Sequence, residues 1–465
     1  MTEIRRYAVV GTGARARFFI AALAGTYAGS AETAAWCEPN PARMDAADAL
    51  VAEHRPDAPA PARYAPSELE RMVADRRIDT VVVTSPDWTH AENAARAMRA
   101  GADVVLEKPL TTSVAGCRAI AEAAAETGRS LVLTFNYRYS PRNAALKEVL
   151  SSGRIGEVTS VHFEWALDTM HGADYFRRWH REKARSAGLS VHKAAHHFDL
   201  VNWWLADAPE WVFAGGGLRF YGDANARARG LGERPERGTT DPPSTDPFAL
   251  DLRADPVLRS LYWEAESHDG YLRDRDVFSP GITIEDNVSV LAGYRGGALL
   301  TYSLNAHSPW EGYRVCVNGT AGRAELDVVE RSAVLPGADG RYVLDASSVA
   351  DTADGEARRR GAWLTVQRHW EKAQPVPIAD DGDGGHGGGD ALLLEDVFGV
   401  AAPDPLGRRA GLGDGLSSVA VGLAANASME SGLPVRIAEL GLPEPAEASG
   451  GPWGQASGRH HVGDR

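Results

Sequence analysis

A short apolar run, Tyr7 to Val10, ends directly in Gly11-Thr12-Gly13-Ala14-Arg15-Ala16, and an alanine- and phenylalanine-rich segment follows to Ala24. A buried strand that breaks into a glycine turn and resumes as a helix has few solutions. Gly11 permits the tight turn, and Gly13 lets a ligand approach backbone N–H groups at the positive end of the helix. Ala16 allows close packing of helix on strand. Glu38 follows the next strand candidate, Glu32 to Cys37, just before Pro39-Asn40-Pro41 breaks it. A carboxylate there accepts the hydroxyls of an adenosine ribose and repels a 2′-phosphate. The pattern predicts a dinucleotide site that prefers NAD to NADP, with Gly11, Gly13, Ala14, Arg15, Ala16 and Glu38 as contacts.

The same alternation continues. Ala42 to His54 reads as helix, Thr80 to Thr84 as strand, His90 to Ala100 as helix and Asp103 to Leu106 as strand. Val114 to Thr127 is then helical and Ser130 to Thr134 extended. Strands separated by long helices make βαβ units, so residues 1–140 are expected to form a Rossmann-type doubly wound parallel sheet. Afterwards the texture changes. Val158 to Leu167, Asn287 to Tyr294, Ala298 to Leu304 and Gly312 to Val317 are strands set off by glycine turns. They predict a C-terminal α+β domain over residues 141–442 with an open, mostly antiparallel sheet. Gly222 to Asp246 lacks periodicity and reads as a surface insertion extending to near residue 280. Asp380 to Asp390 is a glycine-rich loop before a helix from Ala391 to Gly399, and Ser417 to Ser431 is a late amphipathic helix. The tail, 443–465, is polar and expected to be disordered.

Composition narrows the partners. A chain of 465 residues with 44% hydrophobic and 24% charged residues is an ordinary two-domain globular protein. A net charge of −14 argues against a nucleic-acid partner, which needs a basic face. Three scattered cysteines, Cys37, Cys117 and Cys316, make no disulfide framework or zinc knuckle. No apolar run reaches the ~20 residues a membrane helix needs, and no leader pattern follows Met1, so a cytoplasmic location is expected.

Two further motifs sit at the ends of the parallel strands, where ligands bind in open α/β sheets. Thr84-Ser85-Pro86-Asp87-Trp88-Thr89-His90 reads equally as a ligand loop and as a plain turn. Glu107-Lys108-Pro109 places a lysine where it can steady a substrate oxygen, or forms a surface pair. In this order, with Thr134-Phe135-Asn136-Tyr137-Arg138 and Gly156-Glu157-Val158, these elements resemble the glucose–fructose oxidoreductase/inositol dehydrogenase (Gfo/Idh/MocA) family over roughly residues 5 to 330. The resemblance implies an NAD-dependent oxidoreductase, with Ser85, Pro86, His90, Glu107, Lys108 and Asn136 joining the cofactor contacts. It also implies that Lys108 is catalytic and that a homo-oligomer, dimer or tetramer, is formed.

In the family a histidine preceded four residues earlier by an aspartate, and followed three later by another, completes the site. Here the matching stretch is Val191-His192-Lys193-Ala194-Ala195-His196-His197-Phe198-Asp199. On one helix His192, His196 and Asp199 share a face. The resemblance makes His196 the proton acceptor, with Asp199 orienting it. His192 departs from the family, standing where most members carry the aspartate, and Lys193 and His197 are additional polar groups. His192 and His196 have metal-ligand spacing, but no glutamate follows His192 and hydride transfer needs no metal, so none is expected. A structural histidine cluster is the blander alternative.

The loop Met170-His171-Gly172-Ala173-Asp174-Tyr175-Phe176-Arg177-Arg178-Trp179-His180 is dense in aromatics and cations. It reads equally as a sugar site, through Tyr175, Arg178, Trp179 and His180, and as interface packing. His386 in the glycine loop is a further substrate candidate, with Lys193, His197 and Lys108 itself. The expected substrate is a small carbohydrate-like molecule: a sugar, glycoside or cyclitol whose secondary hydroxyl is oxidised or regenerated. The alternative is a redox-neutral, NAD-dependent glycoside cleavage through a 3-keto intermediate. A non-catalytic NAD-binding regulator is disfavoured because Lys108 and His196 are both present.

Overall fold

The computed structural model describes residues 4–335, 357–379, 388–400 and 403–443. Six strands form the N-terminal sheet: β1 (Arg5–Val10), β2 (Ala31–Cys37), β3 (Ala62–Tyr64), β4 (Thr80–Val83), β5 (Asp103–Leu106) and β6 (Leu131–Leu133). All pair in parallel in the order β3-β2-β1-β4-β5-β6. The order reverses at β1 and β4, so the loops leaving these two strands diverge and open a crevice. β4 and β5 are buried along their whole length, as expected of strands covered by helices on both faces. Gly11 leaves β1 with φ +86°, and a Cβ there would lie 2.6 Å from the Ser85 Cα. Only glycine fits where the loop after β4 presses on the turn after β1.

The second sheet has nine strands: β7 (Val158–Asp168), β8 (Pro209–Gly217), β9 (Asn287–Tyr294), β10 (Leu299–Ser308), β11 (Glu311–Gly319), β12 (Gly322–Arg331), β13 (Gly361–Arg368), β14 (Gln374–Val376) and β15 (Val435–Arg436). Its order is β14-β13-β12-β11-β7-β10-β9-β8-β15, antiparallel except for the central β7–β10 pair. Alternate residues of β9 and β10 are buried, so one face packs on helices and the other stays open. The inner face is aromatic. Trp165 of β7 stacks on Tyr313 of β11 at 4.5 Å and on His197 of the helix Ala195–Leu205 at 3.9 Å.

Chain beyond the expected boundary at residue 140 returns twice to the parallel sheet. The helix Gly389–Phe398 sets Phe398 edge-on to Tyr7 of β1 at 5.3 Å. The helix Leu412–Ser431 puts Leu416 and Val419 into the parallel-sheet core and Val421, Ala424 and Ala425 into the other. One helix thus shares its apolar side between two cores and holds them together.

The segment 222–280 is more than the surface excursion its sequence suggests. Asp286 launches it: its buried carboxylate accepts the N–H groups of Arg219, Phe220 and Tyr221 at 2.7–3.0 Å. Leu250, Leu252 and Leu258 make a small core, and Arg234 and Arg237 each bridge two carboxylates.

Arg138 and Asp199 form the most deeply buried ion pair joining the helix Ala195–Leu205 to the chain after β6. Arg138 Nε and Nη2 donate to the two carboxylate oxygens at 2.8 and 2.6 Å, and Nη2 also reaches Asp414 at 2.8 Å. Stranding one charge of a buried pair in a dry site costs about 3–5 kcal/mol, and here Asp414 keeps Arg138 partly paired when Asp199 is lost. Asp199→Asn is therefore expected to lower unfolding stability by about 1–3 kcal/mol in a urea titration. A change below about 1 kcal/mol would contradict this.

Candidate active site

Glu38, beyond the end of β2, is buried and points back at the glycine turn. Its Oε2 accepts the Thr12 N–H at 3.0 Å, its Oε1 accepts the Asn40 N–H at 3.0 Å, and Arg43 lies 3.4 Å away. Arg15 reaches across the crevice from the glycine turn and donates to Glu107 at 2.5 Å. A glycine that no other residue can replace, an exposed-edge N–H at Ala14 and an acid beyond the end of β2 fit a dinucleotide, with pyrophosphate on the turn and ribose beside Glu38.

Two expected cofactor contacts are buried and hydrogen-bonded within the protein. His90 is fully buried, with Nε2 2.8 Å from the Ser85 carbonyl and Nδ1 2.8 Å from the Pro109 carbonyl. It straps the loop after β4 to the loop after β5, and burial lowers its pKa. Asn136 is likewise buried and donates to Asp390 at 2.7 Å. Ser85 lies against the glycine turn, its Oγ accepting from Thr89 at 2.7 Å and from Asn93 at 3.0 Å. Pro86 follows it and caps the short helical turn Asp87–Thr89.

Lys108 projects from the end of β5, and its Nζ donates to the backbone carbonyl of His192 at 3.4 Å. Burial and the neighbouring Lys193 lower its pKa to about 8, although Asp87 and Glu107 pull the other way. His192 meets Asp87: Nδ1 lies 2.5 Å from Oδ2, and both side chains are buried. Burial and the nearby Lys108 hold His192 well below the ordinary imidazole pKa, so the ring is neutral near pH 7. Burial raises Asp87, while Lys108 and Arg178 oppose that rise.

Around this pair stands an aromatic wall. His180 lies edge-to-face on His192 at 4.1 Å and is stacked on Trp179 at 3.6 Å; Tyr175 approaches His192 at 5.4 Å. His180 Nδ1 is buried without a hydrogen-bond partner. Arg178 pairs with Asp174 at 2.9 Å and lies over the Tyr175 ring. Behind Tyr175 a relay runs inward: its hydroxyl is 3.1 Å from His171 Nε2, whose Nδ1 is 2.5 Å from Glu311. Burial and Glu330 push Glu311 up to about 7, and burial with Lys193 takes His171 down to about 3.

Asp87, His180 and His192 each offer a ligand atom within 4.8 Å of the others, the one such group of three among the described residues. Two ligands of one tetrahedral ion with 2.0–2.1 Å bonds stand about 3.3 Å apart. The His192–Asp87 contact at 2.5 Å is closer than that and is a hydrogen bond.

The expected single helix through His192, His196 and Asp199 is two: Leu189–His192 and Ala195–Leu205. His196 begins the second, between the rings of Phe135 and Tyr137. Asp199 is held by Arg138, which donates to both its oxygens. Lys193 and His197, expected to face substrate, turn toward the aromatic core. Lys193 lies over Trp165 and Tyr137, and His197, fully buried, hydrogen-bonds Tyr302 at 2.6 Å. His386 lies outside the described residues. Sequence reasoning missed Asp87 as a site residue. Its signal was an acid inside a loop at the end of a buried strand.

Residues 5–135 match the oxidoreductase family with an NAD-binding Rossmann fold, and residues 147–437 match its C-terminal alpha/beta domain. The putative oxidoreductase YteT of Bacillus subtilis is 35% identical over 393 residues, covering 81% of this chain and 85% of its own. Inositol 2-dehydrogenase of Rubrobacter xylanophilus is 30% identical over 151 residues, 31% of this chain and 39% of its own. Among solved structures, aldose-aldose oxidoreductase of Caulobacter crescentus, complexed with glycerol, superposes with a TM-score of 0.59 at 18% identity, over 93% of this chain and all of that one. Matched along both halves, the chain belongs to the Gfo/Idh/MocA oxidoreductase family.

Proposed function

We propose that this oxidoreductase oxidises a secondary hydroxyl of a sugar or cyclitol, or reduces the matching ketone, with NAD as hydride carrier. The observation that carries this is the meeting of Lys108, from the cofactor-binding half, with the buried His192–Asp87 pair. When bound, the nicotinamide supplies hydride chemistry. The chain's own residues handle the proton and the oxygen. If His192 carries its proton on Nδ1 toward Asp87, Nε2 is left free to take the hydroxyl proton. The Lys108 ammonium donates to the substrate oxygen as charge builds there. Asp87 thus returns, from the opposite side of the crevice, the carboxylate that His192 displaced.

A polyhydroxylated ring suits the surrounding wall. Trp179 and Tyr175 offer flat faces to C–H groups, and Arg178 and His180 offer polar atoms to hydroxyls. NAD rather than NADP is supported by Glu38, since its buried carboxylate repels a 2′-phosphate and Arg43 is already paired with Asp269. The open face of the nine-stranded sheet exposes Phe213, Leu299 and Trp363, which supports a homo-oligomer.

A panel of sugars, cyclitols and glycosides, scored for both NADH formation and products, tests the reaction. NADH formation is expected with at least one sugar or cyclitol; glycoside cleavage with no NADH from any compound would overturn it. Lys108→Ala should lose turnover by about a thousandfold or more while still binding NAD. Because the ammonium is needed, kcat/KM should fall as pH rises through about 8, and Lys108→Arg should move that alkaline limb upward. An unchanged limb in Lys108→Arg would remove Lys108 from the role.

The family pattern names His196 as the proton acceptor, whereas the contacts name His192. His192→Gln is expected to cost about a hundredfold or more in kcat, and His196→Gln less. The reverse ranking would return the role to His196.

A further inference from the structure

The segment 222–280 ends on the cofactor half of the molecule. Tyr262 places its hydroxyl 3.2 Å from the Ala14 N–H, which donates to it. That N–H belongs to the glycine turn, where it would face pyrophosphate. The Tyr262 hydroxyl therefore stands where a phosphate oxygen would accept, 3.7 Å from the position of a Cβ on Gly13.

Two more residues fasten the same segment beside Glu38. Asn40, fully buried, donates through Nδ2 to the Ala265 carbonyl at 3.0 Å and to Asp269 at 2.9 Å. Arg43 donates to the Leu261 carbonyl at 3.2 Å and pairs with Asp269 at 2.7 Å, its guanidinium lying over the Tyr262 ring. Asn40 and Arg43 flank the acid of the ribose site: Glu38 accepts the Asn40 N–H, and Arg43 lies 3.4 Å from it. At its other end the segment is tied to the aromatic wall, where the Trp179 N–H donates to Tyr271 at 3.5 Å and Arg273 pairs with Asp174 at 2.8 Å.

We propose that residues 256–271 are a clasp over the adenosine half of the bound dinucleotide, with Tyr262 as a direct phosphate contact. The proposal rests on the dinucleotide reading of the glycine turn. On binding, the Tyr262 hydroxyl gives up the Ala14 N–H to a phosphate oxygen and donates its own proton to that oxygen. Asp269 stays held by Asn40 and Arg43, closing the ribose side. The dinucleotide then leaves only when these bonds across the crevice break together, so its release is slow.

The test measures release, not activity. The full chain is loaded with labelled NAD, passed rapidly over a desalting column and chased with unlabelled NAD. The unmodified protein is expected to keep its label through the column. Tyr262→Ala and Asp269→Ala should each release it at least tenfold faster, and Tyr262→Phe, which keeps the ring, should fall between. Melting of each cofactor-free variant monitors the fold, so faster release with an unshifted melt is the supporting result. Release from the unmodified chain as fast as from both variants would overturn the clasp, as would tighter binding by Tyr262→Ala, which would make Tyr262 a competitor for the phosphate site. If the unmodified chain binds neither NAD nor NADP, the dinucleotide reading itself fails, and the clasp with it.

Discussion

A neutral imidazole and a carboxyl group meet at 2.5 Å between the two halves of this protein, His192 from the second and Asp87 from the loop after β4. Both are buried, so neither has water to fall back on. Each half supplies one member: the second half a ring without a permanent charge, and the parallel-sheet half a carboxyl group that Lys108 also attracts. The rest of the site is arranged around this contact. His90 ties the Asp87 loop to the Lys108 loop, and Gly11 lets that loop lie flat against the turn after β1. Lys108 then meets the His192 backbone directly.

Holding two such loops against a second body requires the bodies not to slide. The helix Leu412–Ser431 does this by sharing its apolar side between both cores, and Arg138 by clamping Asp199 and Asp414 at once. The segment 222–280 adds a third tie on the side of the crevice away from these, from the aromatic wall to the ribose acid. Its own stability comes from arginine–carboxylate bridges around a very small core, which suits an element that must part from the cofactor half without unfolding.

Much of the parallel sheet was legible in the sequence, because buried β-branched runs, glycine turns and long helices are local signals. Asp103–Leu106 and Val114–Thr127 agree with the structure to the residue. β8 was not legible: it opens on proline, closes on three glycines and is a strand because β9 and β15 pair with it. The helix Gly389–Phe398 was legible as a helix, but nothing local says that it returns to β1.

At the site, Lys108 and the glycine turn carried recognisable patterns. His192 stood out only as a departure, because its partner Asp87 lies 105 residues away. His197 reads from its place beside a site residue as exposed chemistry, whereas a helix turns it into the core, where Trp165 stacks on the ring and Tyr302 meets its Nδ1. The excursion at 222–280 lacked periodicity because its order comes from paired charges, which leave no periodic trace.

The pairing of Asp87 with His192 is tested most directly by a double-mutant cycle on kcat/KM. Asp87→Asn, His192→Gln and the double variant would be compared using a substrate identified among the sugars and cyclitols. If Asp87 acts through His192, each single change costs at least tenfold and the double change costs no more than the worse single one. Losses that multiply as for independent residues, with NAD binding intact throughout, would contradict the account.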